Sequence, residues 1–305
     1  MNKQIIIVLL AVILIGGGAY YFGLSKSKIA SDGHADHTHD PIVAPIGGIV
    51  PMDHGNVTMM ATGAKPAGTR VIVKNTTYKS GTQIFSFELY GKDGDVWSDK
   101  DLKIAHEKKM HFILVSNDFS KYQHVHPEFK DNLWQVSVTL NTNTGYQAYV
   151  DIESNEDGAE TLRLPIVVGT PTAGAKVSQK EITLIKDGVQ VKMNALNGFI
   201  AGKENEVSFA ISQNGKTITP ENYLGAKGHI VALGDDPNTF IHGHPSEGGH
   251  TEVDFAFAFD KVGAYTLFAQ FKVDGVVRTY PFTITVTKGS GTASMPIDES
   301  QPHSH

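Results

Sequence analysis

The chain contains no cysteine among its 305 residues. This absence excludes disulfide bonds, thiolate metal ligands and a lipoprotein-type cleavage site, so imidazole, carboxylate and thioether groups remain as side-chain metal ligands. Positive charge is also scarce, with 26 Lys and Arg against 32 Asp and Glu and a formal net charge of -6. Because the lysines are scattered rather than clustered, the sequence predicts no nucleic-acid-binding face.

Familiar catalytic patterns are missing as well. The sequence has no G-x-S-x-G elbow, no HExxH pair and no phosphate-binding loop, so we expect a protein that is not an enzyme. Its globular portion also lacks a long apolar stripe of period 3.6. Short alternating segments such as TRVIVKN, WQVSVTL and EVDFAFAF stand between Gly, Asn, Asp and Pro turns instead, which predicts an all-β fold.

One pattern occurs twice. Residues 111–127 read HFILVSNDFSKYQHVHP and residues 229–245 read HIVALGDDPNTFIHGHP, so H-x12-H-x-H-P repeats 118 positions apart. Alternating strands precede both copies, and Gly145 and Gly263 follow them with the same offset. A fixed-period match of this kind indicates an internal duplication. The matched histidines are His111, His124 and His126 in the first copy and His229, His242 and His244 in the second.

The duplication predicts two tandem immunoglobulin-like β-sandwich domains behind an N-terminal transmembrane helix, because each copy has the length and strand spacing of such a domain. Ile5 to Leu24 is an uncharged apolar run long enough to span a bilayer, and we favour a retained signal-anchor over a cleaved signal peptide. The predicted segments are a signal-anchor at 1–28, a flexible His-rich stalk at 29–65, sandwiches at 66–168 and 178–287, a linker at 169–177 and a disordered tail at 288–305. The two domains are expected outside the cytoplasm, on a single-pass membrane protein.

The stalk carries His34, His37 and His39 alternating with aspartates. Such a tract is a weaker metal candidate, for zinc, copper or nickel, and the alternative is a soluble spacer. His106 and His250 have no counterparts in the other copy and are expected to be loop residues.

Hairpin geometry makes the repeated histidines a candidate metal site. The turn signals NDFS and DDPN stand between the two segments of each copy. A turn centred near 118 and 119 places His111 opposite His126, with His124 on the same sheet face. The same arithmetic groups His229, His242 and His244, so each trio is expected to form one site for copper or zinc. The alternative is that these histidines only hydrogen-bond loop carbonyls at the rim of each sandwich.

The phrases AHEKKMHFILVSNDFSKYQHVHPE and LGAKGHIVALGDDPNTFIHGHP resemble those of poorly characterised exported bacterial proteins with repeated HxHP β-sandwich units. That resemblance covers residues 68–287 and implies a metal-related function at the cell envelope. The chain is more loosely similar to CopC-type periplasmic copper carriers. It departs from them because those carriers use the exposed amino-terminal residue of the mature protein, which an anchored chain beginning MNKQ does not offer.

Two functions follow as expectations. The first is a membrane-anchored extracytoplasmic protein that buffers or handles copper or zinc, with the metal ion and the membrane as its partners and no nucleic acid. The second is a structural or adhesive envelope module whose histidines only shape loops.

Overall fold

A computed structural model describes residues 68–75, 77–195, 198–245 and 252–289. All of these residues belong to one compact unit, Val50–His305. Within the described ranges the regular secondary structure consists of strands, and no helix is present. The expected all-β class is therefore confirmed.

The N-terminal half, residues 68–168, contains two antiparallel sheets. The first has the order β1-β2-β7-β6 with β3 beside β2, and the second has the order β5-β4-β8-β9. Between them lies a core that includes Phe85, Phe112 and Trp134. The strands are β1 (Arg70–Val73), β2 (Gly81–Tyr90), β3 (Val96–Trp97), β4 (Met110–Ser116), β5 (Tyr122–Val125), β6 (Glu128–Lys130), β7 (Leu133–Leu140), β8 (Thr144–Ser154) and β9 (Gly158–Val168).

The C-terminal half, residues 182–289, repeats this plan. One sheet has the order β10-β11-β13-β14 with β17 beside β13, and the other has the order β12-β19-β18-β15-β16. Their shared core includes Phe209, Phe255 and Phe282. The strands are β10 (Thr183–Lys186), β11 (Val189–Asn194), β12 (Phe199–Ile200), β13 (Glu204–Gln213), β14 (Lys216–Thr217), β15 (His229–Gly234), β16 (Phe240–Gly243), β17 (Val253–Ala258), β18 (Gly263–Val273) and β19 (Val276–Thr287).

Strands β4 and β15 are buried along their whole length, because each faces two cores. Phe112 and Leu114 of β4 point into their own half. Ile113 and Val115, on the opposite face, pack in a third cluster against Val231, Leu233 and Phe268 of the C-terminal half. The continuous apolar runs FILV and IVAL are typical of strands covered on both faces. This third cluster is the apolar part of the contact between the halves.

The contact between the halves is reciprocal. Tyr122 stacks on Phe268 with ring centroids 4.4 Å apart, and Phe240 stacks on Tyr149 at 4.9 Å. Tyr122 and Phe240 are equivalent in the two hairpins, and strand register makes Tyr149 equivalent to Phe268. Each half thus offers the same patch to the other, as in a two-fold symmetric dimer. The register offset in β8 and β18 is 119 rather than 118, so Ala264, not Gly263, stands in the place of Gly145.

Several expectations remain predictions. The domain boundaries 66–168 and 178–287 and the linker 169–177 stay so, because the described residues form one compact unit. The anchor at 5–24, the stalk with His34, His37 and His39, His250 and residues 290–305 of the tail lie outside the described residues. Among the residues that are described, no helix is long and apolar enough to cross a lipid bilayer.

Candidate metal centre

Two hairpins position the repeated histidines. Ile113 pairs with His124 across β4 and β5, and Val231 pairs with His242 across β15 and β16. The predicted hairpin registers are confirmed, and continuing them by one step sets His111 beside His126 and His229 beside His244. In the first turn the Asp118 carboxylate accepts hydrogen bonds from the Ser116 hydroxyl at 2.5 Å and the Ser120 amide at 3.1 Å. Asp236 accepts one from the Asn238 amide at 2.9 Å in the second.

The histidines lie on the sheet face that meets the other half. Side chains two residues apart on a strand share a face, so His111 lies with Ile113 and His229 with Val231, both members of the interface cluster. The two trios therefore meet. The His111 and His242 rings have centroids 4.9 Å apart, and those of His124 and His242 lie 5.3 Å apart. Six imidazoles from both halves form a single histidine cluster.

Backbone carbonyls fix one histidine of each half. Nε2 of His111 donates to the carbonyl of Ala105 at 3.1 Å, and Nε2 of His229 donates to the carbonyl of Tyr223 at 2.8 Å. Both carbonyls belong to equivalent turns, closed by the Ala105–Lys108 and Tyr223–Ala226 bridges. A carbonyl only accepts, so the proton of each neutral ring lies on Nε2 and Nδ1 keeps its lone pair.

Two more histidines are fixed by side chains of the opposite half. Nδ1 of His242 donates to Oδ2 of Asp151 at 2.9 Å, and Nδ1 of His124 donates to Oε1 of Gln270 at 2.8 Å. Asp151 also accepts from the Thr161 hydroxyl at 2.7 Å. Asp151 and Gln270 are equivalent by register, because they pair with His111 and His229 respectively. In both cases the lone pair that remains is on Nε2, inside the cluster.

These outer bonds leave the inner nitrogens of His111, His124, His229 and His242 without protons. Nδ1 of His111 lies 3.0 Å from Nε2 of His124, and two lone pairs cannot bond to each other while the outer bonds hold. Within the described part of the chain, four further ring nitrogens of the cluster are buried without a hydrogen-bond partner: His126 Nε2, His229 Nδ1, His242 Nε2 and His244 Nε2. An unpaired buried polar group costs about 1–3 kcal/mol, so several together need a compensating ligand.

A cation satisfies this donor set. The ligating nitrogens of His111, His124 and His242 lie within 4.8 Å of one another, and so do those of His229, His242 and His244. Ligands at about 2.0–2.1 Å from tetrahedral zinc lie about 3.3 Å apart, close to the 3.0 Å between His111 and His124. A second hydrogen-bonding shell that fixes the tautomer, such as Asp151 here, is typical of metal-binding histidines.

This grouping differs from the expectation of one site in each half. The first group takes His242 from the other half, His242 belongs to both groups, and His126 to neither. The physical reason is that the two hairpin faces pack against each other. This packing brings histidines of both trios close enough to share one ion. Each trio does share one sheet face, as predicted, but the site combines histidines from both halves.

Burial keeps the imidazoles neutral. It lowers the pKa of His126 to about 3 and that of His229 to about 4. It also lowers the pKa values of His111 and His244, and those of His124 and His242 well below the usual 6.5. Burial raises the pKa of Asp151. Neutral imidazoles are the form that binds metals, so the ligands need no deprotonation near pH 7.

His106 lies in a loop, as its lack of a counterpart predicts, but its ring also contacts the histidine cluster. It lies in the turn after β3, in the left-handed region with a φ of 49°. Its ring stacks on that of His244 with ring centroids 3.2 Å apart. The ring centroids of His111 and His229 each lie 6.2 Å from that of His106. The repeat could not reveal this contact, because Leu224 occupies the equivalent position. All seven histidines that the structure describes thus lie together.

Asp151 and Gln270 were also missed from the sequence. Both lie within alternating strand segments, where nothing distinguishes them from solvent-facing polar residues. Their roles depend on the contact between the halves, which strand periodicity does not report.

A family described as a domain of unknown function, DUF8832, matches residues 182–288, which is the C-terminal half. No curated protein matches the chain. Among solved structures, trypsin-activated α2-macroglobulin from Escherichia coli is 10% identical with a TM-score of 0.22, covering 73% of this chain and 16% of that one. An ICAM-5 D1–D4 ectodomain fragment is 12% identical with a TM-score of 0.23, covering 72% and 54%.

The fibronectin(III)-like modules of Clostridium thermocellum CbhA are 10% identical with a TM-score of 0.20, covering 77% of this chain and 100% of that one. The chain spans less than two thirds of the first two structures. Similarities at this level carry no information on function.

Proposed function

We propose that the protein is a membrane-anchored extracytoplasmic metal-binding protein that buffers or hands on copper or zinc. The observation that supports this function best is the set of imidazole nitrogens that face the inside of the histidine cluster without a proton. Four rings donate outer hydrogen bonds, which leave their lone pairs facing into the cluster; the acceptors are Ala105, Tyr223, Asp151 and Gln270. A purely structural histidine would use these nitrogens in hydrogen bonds of its own.

The donor set favours borderline metals. Imidazole nitrogens suit copper and zinc, whereas magnesium and calcium require oxygen ligands. By affinity alone Cu(II) exceeds Zn(II) at such a site, and availability in the compartment decides which ion is carried. The chain's lack of cysteine agrees with a centre that depends on imidazole alone.

The compartment and the finer fold are parts of the same proposal. The apolar run from Ile5 to Leu24 supports an anchor that holds the described residues outside the cytoplasm. Two mainly antiparallel sheets over each core support an immunoglobulin-like sandwich in each half. In this arrangement the metal ion lies between the two sandwiches and holds them together.

The test is a metal titration of the full chain, purified in detergent. Replacing His34, His37 and His39 by Ala removes the stalk tract and serves as the background. Isothermal titration with Zn(II) and Cu(II) should then show binding that persists when the pH is lowered from about 7 to about 6, because burial lowers the pKa of His126 to about 3 and that of His229 to about 4. In that background His124→Ala with His242→Ala should abolish binding at the whole centre, because His242 belongs to both groups of ligands.

Unchanged binding in the double variant would contradict the proposal. Absence of binding in the background protein would also contradict it and would leave the structural or adhesive role for these hairpins. Circular dichroism of the double variant provides the control, because the sheet signal must persist for the loss of binding to be attributed to the ligands.

A further inference from the structure

His106 differs from the other cluster histidines in its exposure. It is exposed, whereas the other six described histidines are buried or half-buried. His111, His124 and His229 are no more than 8% exposed. A metal ion in the centre is therefore separated from solvent by rings of its own ligands, and His106 is the described imidazole that reaches solvent and the cluster at once.

The position of His106 lies where the two halves meet. Its turn and the equivalent turn of the other half are adjacent, since a Cβ added to Gly225 would lie 3.5 Å from Oε1 of Glu107. His106 contacts the ring of His244 from the C-terminal half directly. His106 is absent from both groups of nitrogens that can share one ion, so the geometry does not make it a resident ligand.

The two halves differ at the position of His106, although the turns that carry it and its counterpart are equivalent. The counterpart of His106 is Leu224, which has a nearly identical φ of 52° and is 8% exposed. The turn of the C-terminal half thus carries a buried apolar side chain where the turn of the N-terminal half carries an exposed imidazole. Among the described residues, the exposed imidazole beside the cluster is that of His106, next to His244.

We propose that His106 is the exchange ligand through which copper or zinc enters and leaves the buried centre, the ion being transferred from a ring nitrogen of His106 to one of the buried histidines beside it. This inference rests on the metal-binding function proposed above. Moving a hydrated dication into a buried site is costly unless ligands replace its waters stepwise. An exposed imidazole beside a buried one can replace the first water of the hydrated ion before the ion loses its remaining waters.

A residue that acts only on passage changes the barrier and leaves both end states alone. Its loss should slow uptake and release by the same factor while the dissociation constant stays the same. A resident ligand behaves differently, because its loss weakens binding and accelerates release. The two roles can therefore be separated by measuring both rates.

The experiment uses the full chain in detergent with His34, His37 and His39 replaced by Ala. Zn(II) uptake and its release to a chromophoric chelator are followed by stopped-flow absorbance. His106→Leu copies the residue that the equivalent turn already holds at a positive φ, and His106→Asn is a second variant suited to that backbone. Glu107→Gln in the same turn is the matched control.

Both His106 variants should lower the two rates by about tenfold or more, with stoichiometry and affinity as in the background protein, whereas Glu107→Gln should differ little. Wild-type rates in both His106 variants would overturn the proposal, and so would weaker binding with faster release. If the background protein binds no Zn(II), the proposed function itself fails, which is a distinct outcome seen before any rate is measured.

Discussion

Asp151 and Gln270 occupy equivalent places in the two halves but differ in charge. Each accepts a hydrogen bond from Nδ1 of a histidine in the opposite half. A carboxylate makes its histidine a stronger ligand than an amide does, and it offsets part of the charge of a buried cation. The N-terminal half therefore supplies a negative charge beside the centre and the C-terminal half does not, although the histidines of the two halves occupy equivalent positions.

Replacing Asp151 by Asn tests this difference. We expect the fold to persist and the affinity for Zn(II) to fall about 10- to 100-fold, because Asn keeps the size of the side chain and loses the carboxylate. Competition with a chelator of known affinity measures the change. Gln270→Glu, which adds the missing carboxylate on the other side, is the matched variant and should not weaken binding. Equal affinity in wild type and Asp151→Asn would show that the carboxylate does not act on the centre.

Protonation of the cluster predicts a pH dependence without metal. Burial lowers the folded-state pKa of His126 to about 3 and of His229 to about 4, below the unfolded value of about 6.5. The unfolded chain then binds more protons, so the free energy of unfolding should fall as pH drops below about 6.5. Asp151, with its raised pKa, opposes this trend in part.

Urea unfolding of the metal-free chain between pH 8 and pH 5 measures this dependence. His126→Gln removes one protonatable ring and should make the decline shallower. A free energy of unfolding that is flat across this range, or that rises toward pH 5, would contradict the neutral state of the buried rings.

At the scale of the strands, alternation explains what could be predicted. β4 and β5 pair in the predicted register because NDFS forms a tight turn, and this register places three histidines on one face. The same reasoning holds for β15 and β16. The partner of that face could not be predicted, since FILV and IVAL indicate burial on both sides without identifying the covering residues.

The interface cluster gives a stability prediction. Ile113 is fully buried between the halves. Its replacement by Ala should lower the free energy of unfolding by about 2–5 kcal/mol and weaken metal binding, because the two hairpin faces separate. Ile84, on β2 and 54% exposed, is the control, and its replacement by Ala should change stability by about 0.5 kcal/mol or less. Urea unfolding of both variants compares them directly.

At the scale of the whole molecule, a metal shared by both halves couples their stabilities. The two tryptophans, Trp97 and Trp134, lie in the core of the N-terminal half. Their fluorescence therefore reports on that half alone. An ion at 100 times its dissociation constant stabilises the folded state by about 2.7 kcal/mol, which should appear as a higher thermal midpoint of the tryptophan signal.

His242→Ala tests the coupling, since it changes only the C-terminal half. It should abolish the metal-induced rise of the tryptophan midpoint, because His242 belongs to both groups of ligands. Ile185→Ala, at a 70% exposed position of the same half, should leave that rise intact. A full rise in the His242 variant would show that the N-terminal half binds its metal without help.

The duplicated sequence predicted two copies of one unit, and the structure describes how the copies meet. Their contact is reciprocal, with Tyr122 on Phe268 matched by Phe240 on Tyr149. Nothing in the sequence indicated that contact, because the stacked residues of each pair are more than 90 positions apart. The composite nature of the centre therefore required the tertiary structure.

The reciprocal contact has an evolutionary consequence. Two identical polypeptides would associate through such a patch as a homodimer, and every substitution in a homodimer enters both sides at once. Joining the copies in one chain frees each side to change by itself. Asp151 opposite Gln270 and His106 opposite Leu224 are differences of this kind. Fusion of the two copies in one chain thus allows the two sides of a symmetric centre to become chemically different.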